Sequence, residues 1–184
     1  DYLVGACPAA PDEDAAGPTG EGSYGTYTWE AYQEGDVVRN WQGWDTFGQE
    51  VSLYNFCGNY MLVTLSAAWC GPCQDLAEEL TDVQAQVREE YPNFVVYELL
   101  YQNVRGNTPT TDQLVDWKET FELDGIPVVG PEDAADPELA LFERDGYIPT
   151  SVILSPELEV LSIDEYLTSA RDIKSVLEAH AARK

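Results

Sequence analysis

The chain has 184 residues, 44% of them apolar, which is enough for one domain with a buried core. No stretch approaches the roughly 18 consecutive apolar residues that a membrane span requires, so a soluble chain is expected. Thirty-four acidic against nine basic side chains leave a formal net charge of −25. That charge disfavours nucleic acid and anionic membranes as partners, and reads either as a solvated acidic shell or as a field steering a basic protein.

Residues 1–25 are rich in Ala, Pro, Gly, Asp and Glu without apolar periodicity, and read as a tail or linker. Residues 1–35 are assigned to this N-terminal extension and 36–184 to the folded domain. Leu3-Val4-Gly5-Ala6-Cys7 resembles the end of a bacterial lipoprotein signal, although the apolar core that should precede it is not in the chain. The alternative is a tail whose Cys7 pairs with Cys57 in a structural disulfide; four cysteines admit three pairings.

Short strands are predicted between Asn40 and Phe56, with Trp41 and Trp44 packing beneath the tail. Tyr60–Ala67 is nearly all apolar, as a strand buried on both faces must be. Pro72 then opens a helix whose stripe of Leu76, Leu80, Val83 and Val87 runs to about Glu90. Phe94–Tyr101 is a second buried strand. A helix over Thr111–Phe121 carries Leu114, Trp117 and Phe121, and a short extended piece follows at Ile126–Val129. A helical turn is expected around Pro137–Glu143, then a hairpin of Ser151–Leu154 and Glu159–Ile163. The last helix, capped by Thr168, bears Ile173, Val176, Leu177 and His180 on one side, with His180 read as a surface or rim residue. This order predicts an α/β fold, a central mixed sheet flanked by helices.

The run Trp69-Cys70-Gly71-Pro72-Cys73 lies between the first buried strand and its helix. Disulfide exchange needs one thiolate that attacks and a second thiol that releases the mixed disulfide. A helix start meets both needs, because its unsatisfied N–H groups favour a negative Cys70 sulfur and Cys73 follows one turn on. Structural zinc would need two further clustered Cys or His ligands, whereas Cys7, Cys57 and His180 are scattered; no metal site is assigned. A passive disulfide closing so tight a loop restrains the unfolded chain little. Redox chemistry is the favoured reading.

That pentapeptide resembles the thioredoxin active-site motif. Gly146-Tyr147-Ile148-Pro149-Thr150, followed by Ser-Val-Ile-Leu, is similar to the Ile-cis-Pro-Thr entry into a strand in the same superfamily. The resemblance covers about residues 36–182 and implies a thioredoxin fold. It implies a nucleophilic Cys70, a resolving Cys73 and a cis Pro149 facing them, with Trp69, Gly71, Pro72, Ile148 and Pro149 contacting substrate. The long extension and the added helix and strand at Thr111–Val129 resemble the TlpA/ResA-like branch of thiol–disulfide oxidoreductases. That branch implies an extracytoplasmic setting, in the bacterial periplasm or cell envelope, and a membrane tether in the natural precursor. Thr64 stands where cytosolic relatives carry a buried Asp that assists the resolving thiol. A carboxylate in the added segment is expected to substitute.

The resemblance therefore implies a reductase of protein disulfides, served by an upstream reductant, with no cofactor beyond the Cys70–Cys73 disulfide. Two rivals share the fold. A peroxiredoxin-like peroxidase would need a Pro-x-x-x-Thr-x-x-Cys frame, which Leu65–Cys70 lacks. A copper metallochaperone would hold Cu(I) through soft thiolates and usually an added histidine, and His180 in the final helix is poorly placed for that.

Overall fold

The computed structural model describes residues 16–135, 142, 145–164 and 169–183. A hairpin of β1 (Gly20–Tyr24) and β2 (Tyr27–Ala31) forms its own two-stranded sheet. The main sheet has seven strands: β3 (Gln42–Asp45), β4 (Glu50–Ser52), β5 (Tyr60–Ala67), β6 (Phe94–Gln102), β7 (Val128–Gly130), β8 (Thr150–Leu154) and β9 (Val160–Asp164). Their spatial order is β4-β3-β7-β6-β5-β8-β9. The central trio β5, β6 and β7 is parallel, and the flanking pairs are antiparallel. Among the described residues, the α-helices are α1 (Gly71–Arg88), α2 (Thr111–Thr120) and α3 (Ala170–Ala181), with a 3-10 turn at Leu53–Phe56.

Both faces of the sheet are covered, which is why β5 is buried at every position and reads as a nearly all-apolar run. Along β5, Leu62 points into one layer, with Leu76 and Leu80 of α1 and Ile173 and Leu177 of α3. Met61, Val63 and Leu65 point into the other, where Tyr32, Trp41, Leu53 and Phe56 cover the sheet. The period-two alternation of a strand therefore feeds two separate cores.

Four expectations need correction. Part of the segment read as a tail or linker, residues 20–24, is strand β1, which pairs with β2 in a hairpin. Its base is held by Asp36, whose carboxylate accepts from the backbone N–H groups of Thr19 and Gln33 (both 2.9 Å) and from the Thr19 hydroxyl (2.6 Å). Ser169, not Thr168, caps α3, accepting from the Asp172 N–H at 3.1 Å; Thr168 lies outside the described residues. His180 is buried rather than superficial, with Nδ1 3.0 Å from the Tyr60 hydroxyl. It continues the apolar stripe of α3 one turn beyond Ile173 and Leu177.

Trp41 is buried as expected, but Trp44 is not. Between them, Gly43 takes the inward position: a Cβ there would sit 2.3 Å from the Trp41 ring and 2.5 Å from the Gly130 carbonyl, so Trp44 points outward. The turn expected around 137–143 lies outside the described residues apart from Phe142, which packs on Tyr32. Among the described residues, no helix is long and apolar enough to cross a membrane.

Candidate active site

The eight residues of β5 end at Ala67, and α1 starts at Gly71, so a short connection carries Cys70 to the helix mouth. Cys70 is the N-cap: its backbone is extended (φ −89°, ψ 111°), and its Sγ accepts the Cys73 N–H at 3.2 Å. Pro72 sits in the first turn, where a missing N–H leaves no intrahelical bond unmade. Cys70 and Cys73 are joined in a disulfide. Cys70 is 5% exposed and Cys73 fully buried, so the first sulfur is the one nearer solvent.

The Ile148–Pro149 peptide is cis. The Ile148 carbonyl oxygen lies 3.8 Å from Cys70 Sγ, and the Thr150 hydroxyl donates to the Tyr147 carbonyl at 3.0 Å. The structure thus brings Cys70, Cys73 and Ile148 together. Gly71 and Pro72 are exposed on the helix mouth, and Pro149 is buried. Trp69 is 51% exposed, and its indole N–H donates to Gln102 Oε1 at 2.9 Å.

Cys57 lies apart, fully buried under the opposite face of the sheet, and is disulfide-bonded. Cys7, its expected partner, lies outside the described residues.

The carboxylate beside Thr64 is Glu98, which lies on β6, outside the added segment, and is fully buried. Thr64 and Glu98 are register partners across β5 and β6, and the Thr64 hydroxyl donates to Glu98 Oε2. The Trp117 indole N–H, from the added helix α2, donates to Oε1 at 3.1 Å. Loss of water pushes the Glu98 carboxyl up from 4.5 to about 7. Its Thr64 and Trp117 hydrogen bonds oppose that shift only in part, as does the Ser66 hydroxyl, which falls short of bonding geometry. The added segment thus supplies the indole that orients the carboxylate, not the carboxylate itself. A signal for Glu98 was present in the sequence: it is the lone acidic or basic residue inside the buried strand Phe94–Gln102.

A cleft of about 370 Å³ opens between the start of α1 and α2. Ala68 and Gln74 line its dithiol side, and Leu100, Trp117 and Phe121 line its floor. The indole that holds Glu98 therefore also borders solvent-accessible space beside the dithiol.

His180 does not belong to this constellation. It meets Tyr60 at the start of β5, whereas the dithiol follows the end of that strand, a separation of about 25 Å at 3.3 Å per residue. Among the described residues, no group of three or more His, Cys, Asp or Glu side chains is arranged to hold a metal ion.

No family model matches the chain. Thioredoxin H4-1 from rice (Oryza sativa subsp. japonica) is 28% identical over 91 residues, which span 50% of this chain and 56% of that protein's length. The thioredoxin domain of a thiol-disulfide oxidoreductase from Bacteroides vulgatus superposes with a TM-score of 0.65 at 16% identity, covering 79% of this chain and 98% of that one. Arabidopsis thaliana ScoI, crystallised with copper bound, superposes with a TM-score of 0.63 at 13% identity, covering 79% and 98%. The chain has the thioredoxin fold, with thiol–disulfide oxidoreductases among its structural neighbours.

Proposed function

We propose that this protein reduces disulfides in other proteins by dithiol exchange. The observation that carries the reading is the Cys70 sulfur at the mouth of α1, accepting the Cys73 N–H, with the Cys73 sulfur bonded to it one turn deeper. In the reduced enzyme, the first-turn N–H groups stabilise negative charge on Cys70. The Cys70 thiolate attacks one sulfur of the substrate disulfide, forming a mixed disulfide and expelling the other sulfur as a thiolate. Cys73 loses its proton, attacks the Cys70 sulfur and releases the second substrate thiolate. Two electrons pass from the enzyme dithiol to the substrate, and an upstream dithiol reductant must restore the enzyme.

Glu98 is the group proposed to take the Cys73 proton. It sits on the sheet face that packs against α1, and a carboxyl that titrates near neutrality both accepts and returns a proton at working pH. Trp69, Gly71 and Pro72 are proposed to border the bound substrate. The backbone of Ile148, held by Pro149, would pair with an extended substrate segment in the manner of an added strand. A disulfide-bonded Cys57 besides the working pair suits an oxidising compartment, which supports an extracytoplasmic location.

The test is insulin reduction with a dithiol reductant: turnover by the wild type and its loss in Cys70→Ser are expected. A redox titration fixes direction, since a midpoint near about −270 mV favours a reductase and one near about −120 mV an oxidase. Copper carriage is the rival that the likeness to a copper-bound ScoI raises. Stoichiometric Cu(I) uptake without disulfide turnover would establish it. Against it, His180 lies at the far end of the sheet with its ring engaged by Tyr60.

A further inference from the structure

The β1–β2 hairpin has no strand partner in the main sheet, and most of its residues are exposed. A two-stranded hairpin gains little stability alone, so its position depends on what its ends touch. Its base is fixed by the Asp36 bonds and by buried Ala31 and Tyr32. At its tip a two-residue turn places Gly25 at φ 62°, and Tyr24 and Tyr27 face each other across the strands.

The tip does not hang free. The Tyr24 ring meets Tyr147 edge to face, with centroids 5.7 Å apart and planes at 79°. Gly146 borders this contact: it adopts φ 71°, a backbone that favours glycine, and a Cβ there would lie in ordinary contact with Tyr24 Cβ at 3.4 Å. Tyr147 directly precedes Ile148, whose carbonyl faces Cys70 Sγ at 3.8 Å. The hairpin thus reaches the loop that borders the working sulfur.

Each of the two rings nevertheless remains 56% exposed. Tyr27 and Trp69 are exposed as well, and Trp69 directly precedes Cys70 in the chain. An aromatic pair in edge-to-face contact yet half open to solvent, on the loop that borders the Cys70 sulfur through Ile148, has the character of a contact surface: large apolar area, few rotatable bonds, and a hydroxyl at the rim.

We propose that Tyr24 and Tyr147 form a lip that selects polypeptide disulfides carrying an aromatic or large aliphatic side chain close to the reacting cysteine. The inference rests on the reductase reading above and names its substrate class. A segment lying along the backbone of Ile148 passes Tyr147 and then Tyr24, where such a side chain stacks. Glutathione disulfide and glycine-flanked peptides reach Cys70 without meeting the lip.

Two disulfide peptides differing only in tryptophan or glycine beside the cysteine provide the probe. The ratio of their kcat/KM values is expected to favour tryptophan in the wild type and to fall about fivefold in Tyr24→Ala, a stacking contact of ordinary strength. Tyr24→Phe keeps the ring and is expected to keep the ratio. The Cys70/Cys73 midpoint potential serves as the check that the dithiol itself is undisturbed. An unchanged ratio in Tyr24→Ala, or an equal loss on both peptides, overturns the proposal. Binding is read separately by calorimetry with serine-for-cysteine versions of both peptides. If the wild type reduces neither disulfide, the reductase reading falls, yet tryptophan-selective binding lost in Tyr24→Ala still upholds the lip, and its absence removes it.

Discussion

The two faces of β5 and β6 are made by the same pleat and are equally dry, yet they differ in chemistry. On the face covered by the N-terminal segment, Met61, Val63 and Leu65 meet Val95, Tyr97 and Leu99 in an almost wholly apolar layer. On the α1 face the residues between them are Leu62, Thr64 and Ser66 beside Val96, Glu98 and Leu100, and all are buried. These strand residues of the first face pack without a carboxyl. A carboxyl and two hydroxyls on the second, beneath the helix that carries the dithiol, therefore call for a reason other than packing, since each buried polar group costs free energy unless bonded. The purpose we assign is proton handling.

The largest expected effect lies on the apolar face. Met61→Ala removes a fully buried side chain and should cost about 2–5 kcal/mol of stability in a denaturant titration. The pH dependence of disulfide reduction should keep its shape. A change in that shape would show that the two faces are coupled and would weaken the division drawn here.

Glu98→Gln should act in the opposite sense. The folded protein holds the Glu98 proton up to about pH 7, whereas the free side chain releases it near 4.5. Below 4.5 both states are protonated and the fold bears no ionisation cost. Between 4.5 and 7 only the unfolded chain ionises, so stability falls as pH rises, and above 7 the full cost is present, on the order of 3 kcal/mol. The glutamine variant should therefore gain stability of that order at pH 8, gain none at pH 4, and flatten the curve between. Its mixed disulfide should also persist about tenfold to a hundredfold longer at neutral pH, as expected when a proton acceptor is lost. A gain in stability with no delay in resolution would leave Glu98 buried but idle.

What the sequence reveals about this molecule follows from where its physics is local. The apolar runs at 60–67 and 94–102, the helix opened by Pro72 and the Cys70/Cys73 spacing are short-range patterns, and their elements begin and end within a residue or two of expectation. The hairpin is different: Gly20–Tyr24 is a polar, glycine-rich strand whose tip meets Tyr147, far along the chain, so no local periodicity announces it. His180 was readable from its position on the α3 stripe, but its partner Tyr60 is 120 residues away in the chain. Glu98 was visible as an anomaly within an apolar strand. Its partners were not, because the register joining Thr64 to Glu98 and the packing that brings Trp117 exist only in the fold.

Thr64→Val refines the comparison by a smaller step. The Thr64 hydroxyl donates to Glu98 and draws its carboxyl downward against burial, so valine should raise it further above its present value. The lost bond should cost about 1–2 kcal/mol at pH 8, where the carboxylate is charged, and less at pH 4. The midpoint of the pH profile for resolution should move up. A fall in that midpoint would mean that Thr64 acts on Cys73 without passing through Glu98.

The smallest effect tests whether any buried titratable contact on this face would behave as Glu98 does. At the other end of β5, Tyr60 and His180, both buried, form a bond of 3.0 Å, with their rings edge to face at 5.7 Å. Tyr60→Phe keeps the ring contact and removes only the hydroxyl. It should cost about 1 kcal/mol in denaturant and leave the pH profile of mixed-disulfide resolution in place, because about 25 Å of sheet separates it from the dithiol. Charge effects across that distance, more than twice the roughly 8–10 Å screening length of a physiological buffer, are largely extinguished wherever solvent intervenes. If Tyr60→Phe nevertheless moved the resolution profile, proximity to the dithiol would no longer explain why Glu98 matters, and the proton role would have to be assigned to the face as a whole.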